Sequence, residues 1–466
     1  MLKKAFFTNS FFTLFSRVLG YIRDVLSAGI LGANIYSDIF FVAFKFPNLF
    51  RRIVSEGAFS QSFLPSLFAS TKKGVFSSAV FLRFLIIIMT LSIAVNLFSP
   101  FFTKLIAFGF SSEEVALAAP YVAINFWYLP LVFVTTFLAT LLQYKNRFFA
   151  LAFFPSLLNV AIIIALLLSI GASKEDIVLN LSFGVVGGGV FQMLFLLYFA
   201  KNQGALRMLK VGFLGLKRKN SATKKDLKYF YSRFGASVLG SSTAQISSFL
   251  DTFLASFLAS GAISYLYYAN RVFQLPLAIF ALALSTAIFP TIARYIKNKK
   301  EDSALLAMKH SFWFLLIVLS TFAIGGITLA SEVVELLFQR GAFSLEDTYN
   351  TAPILQAYLI GLIPFGLAKV FSLWLYSEGR QLEAAKISAK ALLFNIVCSL
   401  ILILPLGAFG LALAGSLGGV VLFLLTVKSF GLKRFFSIIK DKKIFLFFVI
   451  IVVEIYFFTF LEEYLS

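Results

Sequence analysis

Residues 14–67 read LFSRVLGYIRDVLSAGILGANIYSDIFFVAFKFPNLFRRIVSEGAFSQSFLPSL. The stretch is apolar enough to lie in a membrane. It nevertheless carries Arg17, Arg23, Asp24, Asp38, Lys45, Arg51, Arg52 and Glu56. A charge at the bilayer centre costs about 2.5–3.5 kcal/mol on insertion scales. That cost is met where charges pair with one another or face a water-filled cavity. The pattern therefore implies a membrane protein whose first helices line a charged cavity.

The rest of the chain agrees. Its 466 residues are 60% hydrophobic and 13% charged, and the mean hydropathy is +0.91. A soluble domain carries about 25% charged residues. Apolar runs of about 20 residues recur, which predicts a polytopic helical protein rather than a barrel of short alternating strands. The net charge of +20 arises from 41 Lys plus Arg against 21 Asp plus Glu. In such a protein the excess belongs to cytoplasmic loops. No soluble domain is large enough to present a nucleic-acid face. The single cysteine, Cys398, allows no intrachain disulfide. His310, beside Lys309, reads as an interfacial residue. No cleavable signal peptide is expected, because the first apolar run continues through Arg17 and Arg23. Zinc spacings, a phosphate-cradling loop and a nucleophile elbow are all missing from the sequence, which speaks against an enzyme.

About thirteen spans are predicted. The first two cover 5–31 and 36–70, the seventh and eighth 229–259 and 264–295. The tenth to thirteenth cover 351–377, 384–405, 408–427 and 444–461. Basic residues fill the even-numbered connections, most densely at 201–228, whereas odd-numbered ones hold Glu113, Glu114, Glu175, Asp176, Glu332 and Glu335. This predicts a cytoplasmic N-terminus in the inner membrane.

An internal repeat divides the chain. GANIYSDIFFVAFKFP (32–47) falls on GAISYLYYANRVFQLP (261–276), 229 positions later. Gly32, Ala33, Tyr36, Phe44 and Pro47 match Gly261, Ala262, Tyr265, Phe273 and Pro276. Two lobes of six spans follow: 1–200 and 229–430, joined by the basic connection 201–228, with one extra span in 431–466. Six is even, so the repeat is parallel, one of the two geometries of secondary transporters. Pro47 and Pro276 each remove a helical hydrogen bond and mark hinges. Pro364 is a third candidate.

Helix rise places Arg17 about 20 Å past Lys4, near the midplane. Arg17 and Asp24 share a helix face; Arg23 points away from it. Arg51 and Arg52 fall midway along the second span, with Glu56 one turn from Arg52. Arg271 lies about two turns inside the eighth span. The planar guanidinium fork suits a phosphate-bearing anion. Asp251, in SSFLDTFLAS, has no basic neighbour at helical spacing, so it is expected to be neutral or to hold a cation, with Asn395, Ser399 and Ser416 as further polar groups.

The run FSRVLGYIRD…SDIFFVAFKFPNLFRRIVSEGAFSQSFLP closely resembles the MurJ (MviN) family of bacterial lipid II flippases. The likeness returns at SFLASGAISYLYYANRVFQLP (256–276). It implies the multidrug/oligosaccharidyl-lipid/polysaccharide exporter fold, two six-helix lobes around a central cavity. It also implies lipid II as substrate, moved to the outer leaflet by alternating access. Matching positions assign cavity roles to Arg17, Arg23, Asp38, Arg51 and Arg271, and an inner gate to Glu56. Gln274 stands where many members carry a carboxylate. A sodium ion is implied at Asp251, Asn395 and Ser399, although Ser399 replaces a second carboxylate. The expected partners are lipid II and membrane lipids, and the expected state is a monomer. A drug or organic-cation antiporter of the same fold and a non-transporting scaffold for cell-wall synthesis are the alternatives. The first predicts an acidic, aromatic cavity, and the second predicts dispensable cavity charges.

Overall fold

The computed structural model describes residues 2–51, 58–216 and 221–465. Every regular element among them is helical. Compactness divides the chain into two units between Gly261 and Ala262. The first unit opens with α1 (Leu2–Leu31), α2 (Ile35–Phe50) and α3 (Phe59–Ala69). It continues with α4 (Lys73–Leu97), α5 (Ser99–Ile106), α6 (Ser112–Phe126) and α7 (Tyr128–Tyr144). Helices α8 (Phe148–Leu168), α9 (Lys174–Asn202), α10 (Ala205–Gly215) and α11 (Ser221–Ala255) complete it. The second unit holds α12 (Ala262–Pro276), α13 (Ala283–Lys297), α14 (Glu301–Thr328), α15 (Ala330–Phe338) and α16 (Leu345–Ile360). It ends with α17 (Leu362–Ser377), α18 (Gln381–Phe430), α19 (Leu432–Ile439) and α20 (Lys443–Leu465).

Among the described residues, nine helical stretches are long and apolar enough to cross a membrane. Helices α1 and α11 are not among the nine, and they carry several of the charged and polar side chains singled out above. The 50-residue α18 would span about 75 Å, far more than a hydrocarbon core of about 30 Å. It is two crossings joined at Gly407, whose φ of 54° and ψ of −132° leave the helical region. An L side chain there would be strained. The expected division into an eleventh and a twelfth span is thus observed there.

The repeat is visible in local geometry. Gly32 and Gly261 both take positive φ, 77° and 93°, and each is followed by Ala and a new helix. A second set of matches lies further on. Ser111 caps α6 and Ser344 caps α16, each in a reciprocal capping box with Glu114 or Asp347. Phe110 and Phe343, just before those caps, are both buried. Pro120 and Pro353 sit at matching depth inside the two helices. Helix α2 packs on α6, and α12 packs on α16. The expected kink at Pro276 takes a definite form: α12 ends there and a π-helical turn, Leu277–Leu282, leads into α13. Pro47 lies one turn from the end of α2. Pro364 falls in the first turn of α17, where its missing N–H breaks no helical bond.

The observed division differs from the expected one at α11. The sequence places this helix at the start of the second lobe, whereas the structure fastens it to the first. Ser70 Oγ donates to Asp226 at 2.7 Å, Ser62 Oγ to Ser237 at 3.1 Å, and Gly109 N–H to Ser256 Oγ at 2.9 Å. Phe230 packs its ring against Phe59, Phe63, Phe76 and Phe84. These bonds run along the helix, and its aromatic end is buried with the core of α3 and α4.

Candidate functional site

The charges of α1 do not stand as the spacing suggests. Asp24 is buried, and its partner is the adjacent Arg23 rather than Arg17. Arg23 sets Nη2 at 2.6 Å and Nε at 3.1 Å from Asp24 Oδ1. Its Nη1 donates to Asn159 Oδ1 at 3.1 Å. Asn159, in the largely apolar α8, also donates to the Ser16 carbonyl at 3.0 Å. The guanidinium is therefore held by two helices, with its charge compensated by a buried carboxylate. Sequence reasoning missed Asn159; its signal is a lone amide inside an apolar run. Arg17 is exposed on the flank of α1, with no carboxylate partner among the described residues. It borders a concavity of about 330 Å³ lined also by Thr13, Ser16, Leu151, Ala152 and Pro155.

Helix α2 contributes three charges with different roles. Asp38 is buried and accepts the Gly261 N–H at 2.7 Å. It thereby fixes the left-handed turn that precedes α12. Lys45 donates to Ser248 of α11 at 2.9 Å. Arg51, at the C-terminal cap of α2, places Nε and Nη2 at 3.1 and 3.0 Å from Asn48 Oδ1. Arg52 and the expected gate Glu56 lie outside the described residues.

Asp251 is half-buried on α11, one turn beyond Ser248. It has no basic neighbour on its own helix, as expected, but Lys45 of α2 lies within its electrostatic reach. Asn395 and Ser399 belong to α18 of the second unit and are bonded to each other at 3.3 Å. Both are hard oxygen donors suited to a small cation. Ser416 is instead tied to the Ala357 carbonyl at 2.6 Å.

In the second unit, Arg271 bonds the Tyr267 hydroxyl through Nη2 at 2.8 Å, with its guanidinium carbon 4.6 Å from the ring centre. Gln274, one turn on from Asn270, donates to that residue's side chain. At the start of α12, Tyr265 donates to Asp347 Oδ1 at 3.0 Å, the same carboxylate that completes the α16 cap. In the first unit Tyr36 donates to Glu175 at 2.8 Å.

A repeated arrangement of apolar helices, with Arg23 held against a buried carboxylate in the first of them, defines a multi-pass membrane protein of the secondary-transporter kind. Residues 27–466 match the family described as "Lipid II flippase MurJ", and the chain belongs to that family. A relative from Helicobacter pylori, "Probable lipid II flippase MurJ", is 54% identical over 426 residues, covering 90% of this chain and 92% of its own length. A solved structure titled "Lipid II flippase MurJ, inward closed conformation" aligns with a TM-score of 0.79 at 26% identity, covering 98% of this chain and 99% of its own. An inward-facing multidrug resistance MATE transporter of the MOP superfamily aligns over 92% of this chain and 96% of its own, with a TM-score of 0.67 at 14% identity. That likeness speaks for the fold alone. Family and apolar helices together place the chain in a bacterial inner membrane.

Proposed function

We propose that this chain moves lipid II, an undecaprenyl-pyrophosphate-linked disaccharide-peptide, from the cytoplasmic to the outer leaflet by alternating access. The observation that carries the reading is family membership across residues 27–466, joined to the 54% identity with a chain named for this activity. The guanidinium groups receive the pyrophosphate while the polyprenyl tail stays in lipid. Arg23 supports this role, because Asp24 and Asn159 hold its fork in place before any ligand arrives. An oriented fork loses less entropy on binding a phosphate oxygen pair than a free side chain does. The chain acts as a monomer with a cytoplasmic N-terminus, and it carries out no covalent chemistry.

An inside-negative potential favours outward movement of an anion by about 2.3 kcal/mol per charge per 100 mV. Sodium enters the proposal as a coupling ion only through the oxygens of Asn395 and Ser399 and the carboxylate of Asp251. The test is replacement of Arg17, Arg23 or Arg271 by Ala in cells depleted of their own flippase. Growth is expected to stop, with lipid II retained in the inner leaflet. Normal growth with unchanged outer-leaflet lipid II would remove the mechanism. Proteoliposome assays with and without sodium, and with the potential collapsed, separate the two driving forces.

A further inference from the structure

We propose that the corner where α19 turns into α20 binds the phosphate of an anionic phospholipid headgroup. The corner is a concavity of about 770 Å³ lined by Phe436, Ile439, Lys440, Asp441, Lys442 and Ile444. Its depth follows from what flanks it. Helix α19 is short and amphipathic, with Ile438 buried and Phe436 exposed. The Ile438 carbonyl accepts the indole N–H of Trp313 at 3.3 Å, which pins α19 to α14. The next helix begins at Lys443 and is apolar for a full crossing. A short amphipathic helix running into a spanning helix lies at headgroup level.

The charges in the lining are divided in a way that leaves two cations available. Asp441, the one carboxylate in the lining, is engaged by Lys309 Nζ at 2.8 Å and by the Lys443 N–H at 2.9 Å. Those two bonds hold its carboxyl below the usual range. Arg434 is bonded to Glu301 at 2.7 Å and lies over the Trp374 ring. Lys440 and Lys442 are exposed and have no carboxylate partner among the described residues. Two ammonium groups on the rim can bracket one phosphodiester. Phe436 and Ile444, both exposed, offer an apolar wall to the first methylenes of the acyl chains. Clustered basic residues beside a spanning helix are attracted to anionic lipid, and each adds to the affinity. The site makes no use of the arginines assigned to lipid II, so it stands independently of that reading.

The test uses the full chain in zwitterionic micelles, titrated with phosphatidylglycerol carrying a fluorescent acyl chain and read by anisotropy. Phosphatidylcholine with the same label is the reference. Lys440→Gln with Lys442→Gln is expected to weaken phosphatidylglycerol binding about tenfold and to leave phosphatidylcholine binding unchanged. The unchanged reference also shows that the variant is folded. Arginine at both positions should retain the preference, and the exposed pair Lys224→Gln with Lys225→Gln should not affect it. An equal loss from both glutamine pairs, no preference for phosphatidylglycerol in the parent chain, or displacement of the lipid by equimolar inorganic phosphate would overturn the proposal.

Discussion

Helices α2 and α12 begin after equivalent left-handed glycines, Gly32 and Gly261, and pack on equivalent capped helices, α6 and α16. Their charges do not correspond. By the 229-position offset, Asp38 becomes Tyr267, Lys45 becomes Gln274, and Val42 becomes Arg271. The first copy spends its charges on fastenings: Asp38 to Gly261, Lys45 to Ser248 and Arg51 to Asn48. The second copy carries one arginine, set against a tyrosine. The backbone plan is thus repeated, whereas the electrostatics are specialised.

The largest expected effect concerns Arg23. Asp24→Asn keeps the cation but loosens its fork, and Asn159→Ala removes its second anchor. Each is expected to cut lipid II translocation about tenfold, the scale of about 1.4 kcal/mol, while Arg23→Ala abolishes it. Flipping rates in proteoliposomes check this, and parental rates for Asp24→Asn and Asn159→Ala would show that orientation of the fork is immaterial.

Next comes a direct comparison of the repeats. Asp347 completes the α16 cap and also accepts from Tyr265, whereas Glu114 closes only its own cap. Asp347→Ala is therefore expected to cost about 2–3 kcal/mol and Glu114→Ala about 1 kcal/mol. Thermal unfolding in one detergent measures the difference, and parity would refute the extra role of Asp347. Of the paired changes Tyr36→Phe and Tyr265→Phe, the second, which also loses the bond from Asn350, is expected to lower the melting temperature more.

The smallest effect is a pH dependence. The Asp441 carboxyl lies below its ordinary value because of Lys309 and the Lys443 N–H. Its contribution to stability is therefore present above the unfolded-state value and lost as pH falls through the lower folded-state one. Asp441→Asn should flatten the acid limb of a melting-temperature profile slightly, and an unchanged limb would exclude the contribution.

Much of this was legible in the sequence. The GA-x-x-Y repeat and the proline at 276 each act through local rules, so their consequences appear where expected. The break between the eleventh and twelfth spans falls at Gly407, between the predicted ends 405 and 408. The phrase Phe-Ser before an acidic residue, at 110–114 and 343–347, was equally readable and gives a second set of repeat marks. Other features depend on tertiary contact and leave no periodic trace. Helical spacing paired Arg17 with Asp24, but a long guanidinium arm can fold onto its immediate neighbour. Lys45 approaches Asp251 from another helix, which spacing along α11 cannot reveal. The allegiance of α11 rests on scattered serine bonds and phenylalanine rings, none of which marks an end in the sequence.

That allegiance bears on how the chain can be taken apart. If the molecule were made as two separately translated pieces, a cut in the basic connection near 217–220 would strand α11 from Ser62, Ser70 and Gly109. A cut after Gly261 would leave each piece with its own interior complete. Co-expressed fragments divided there are the pair with the better prospect of reassembling in a membrane.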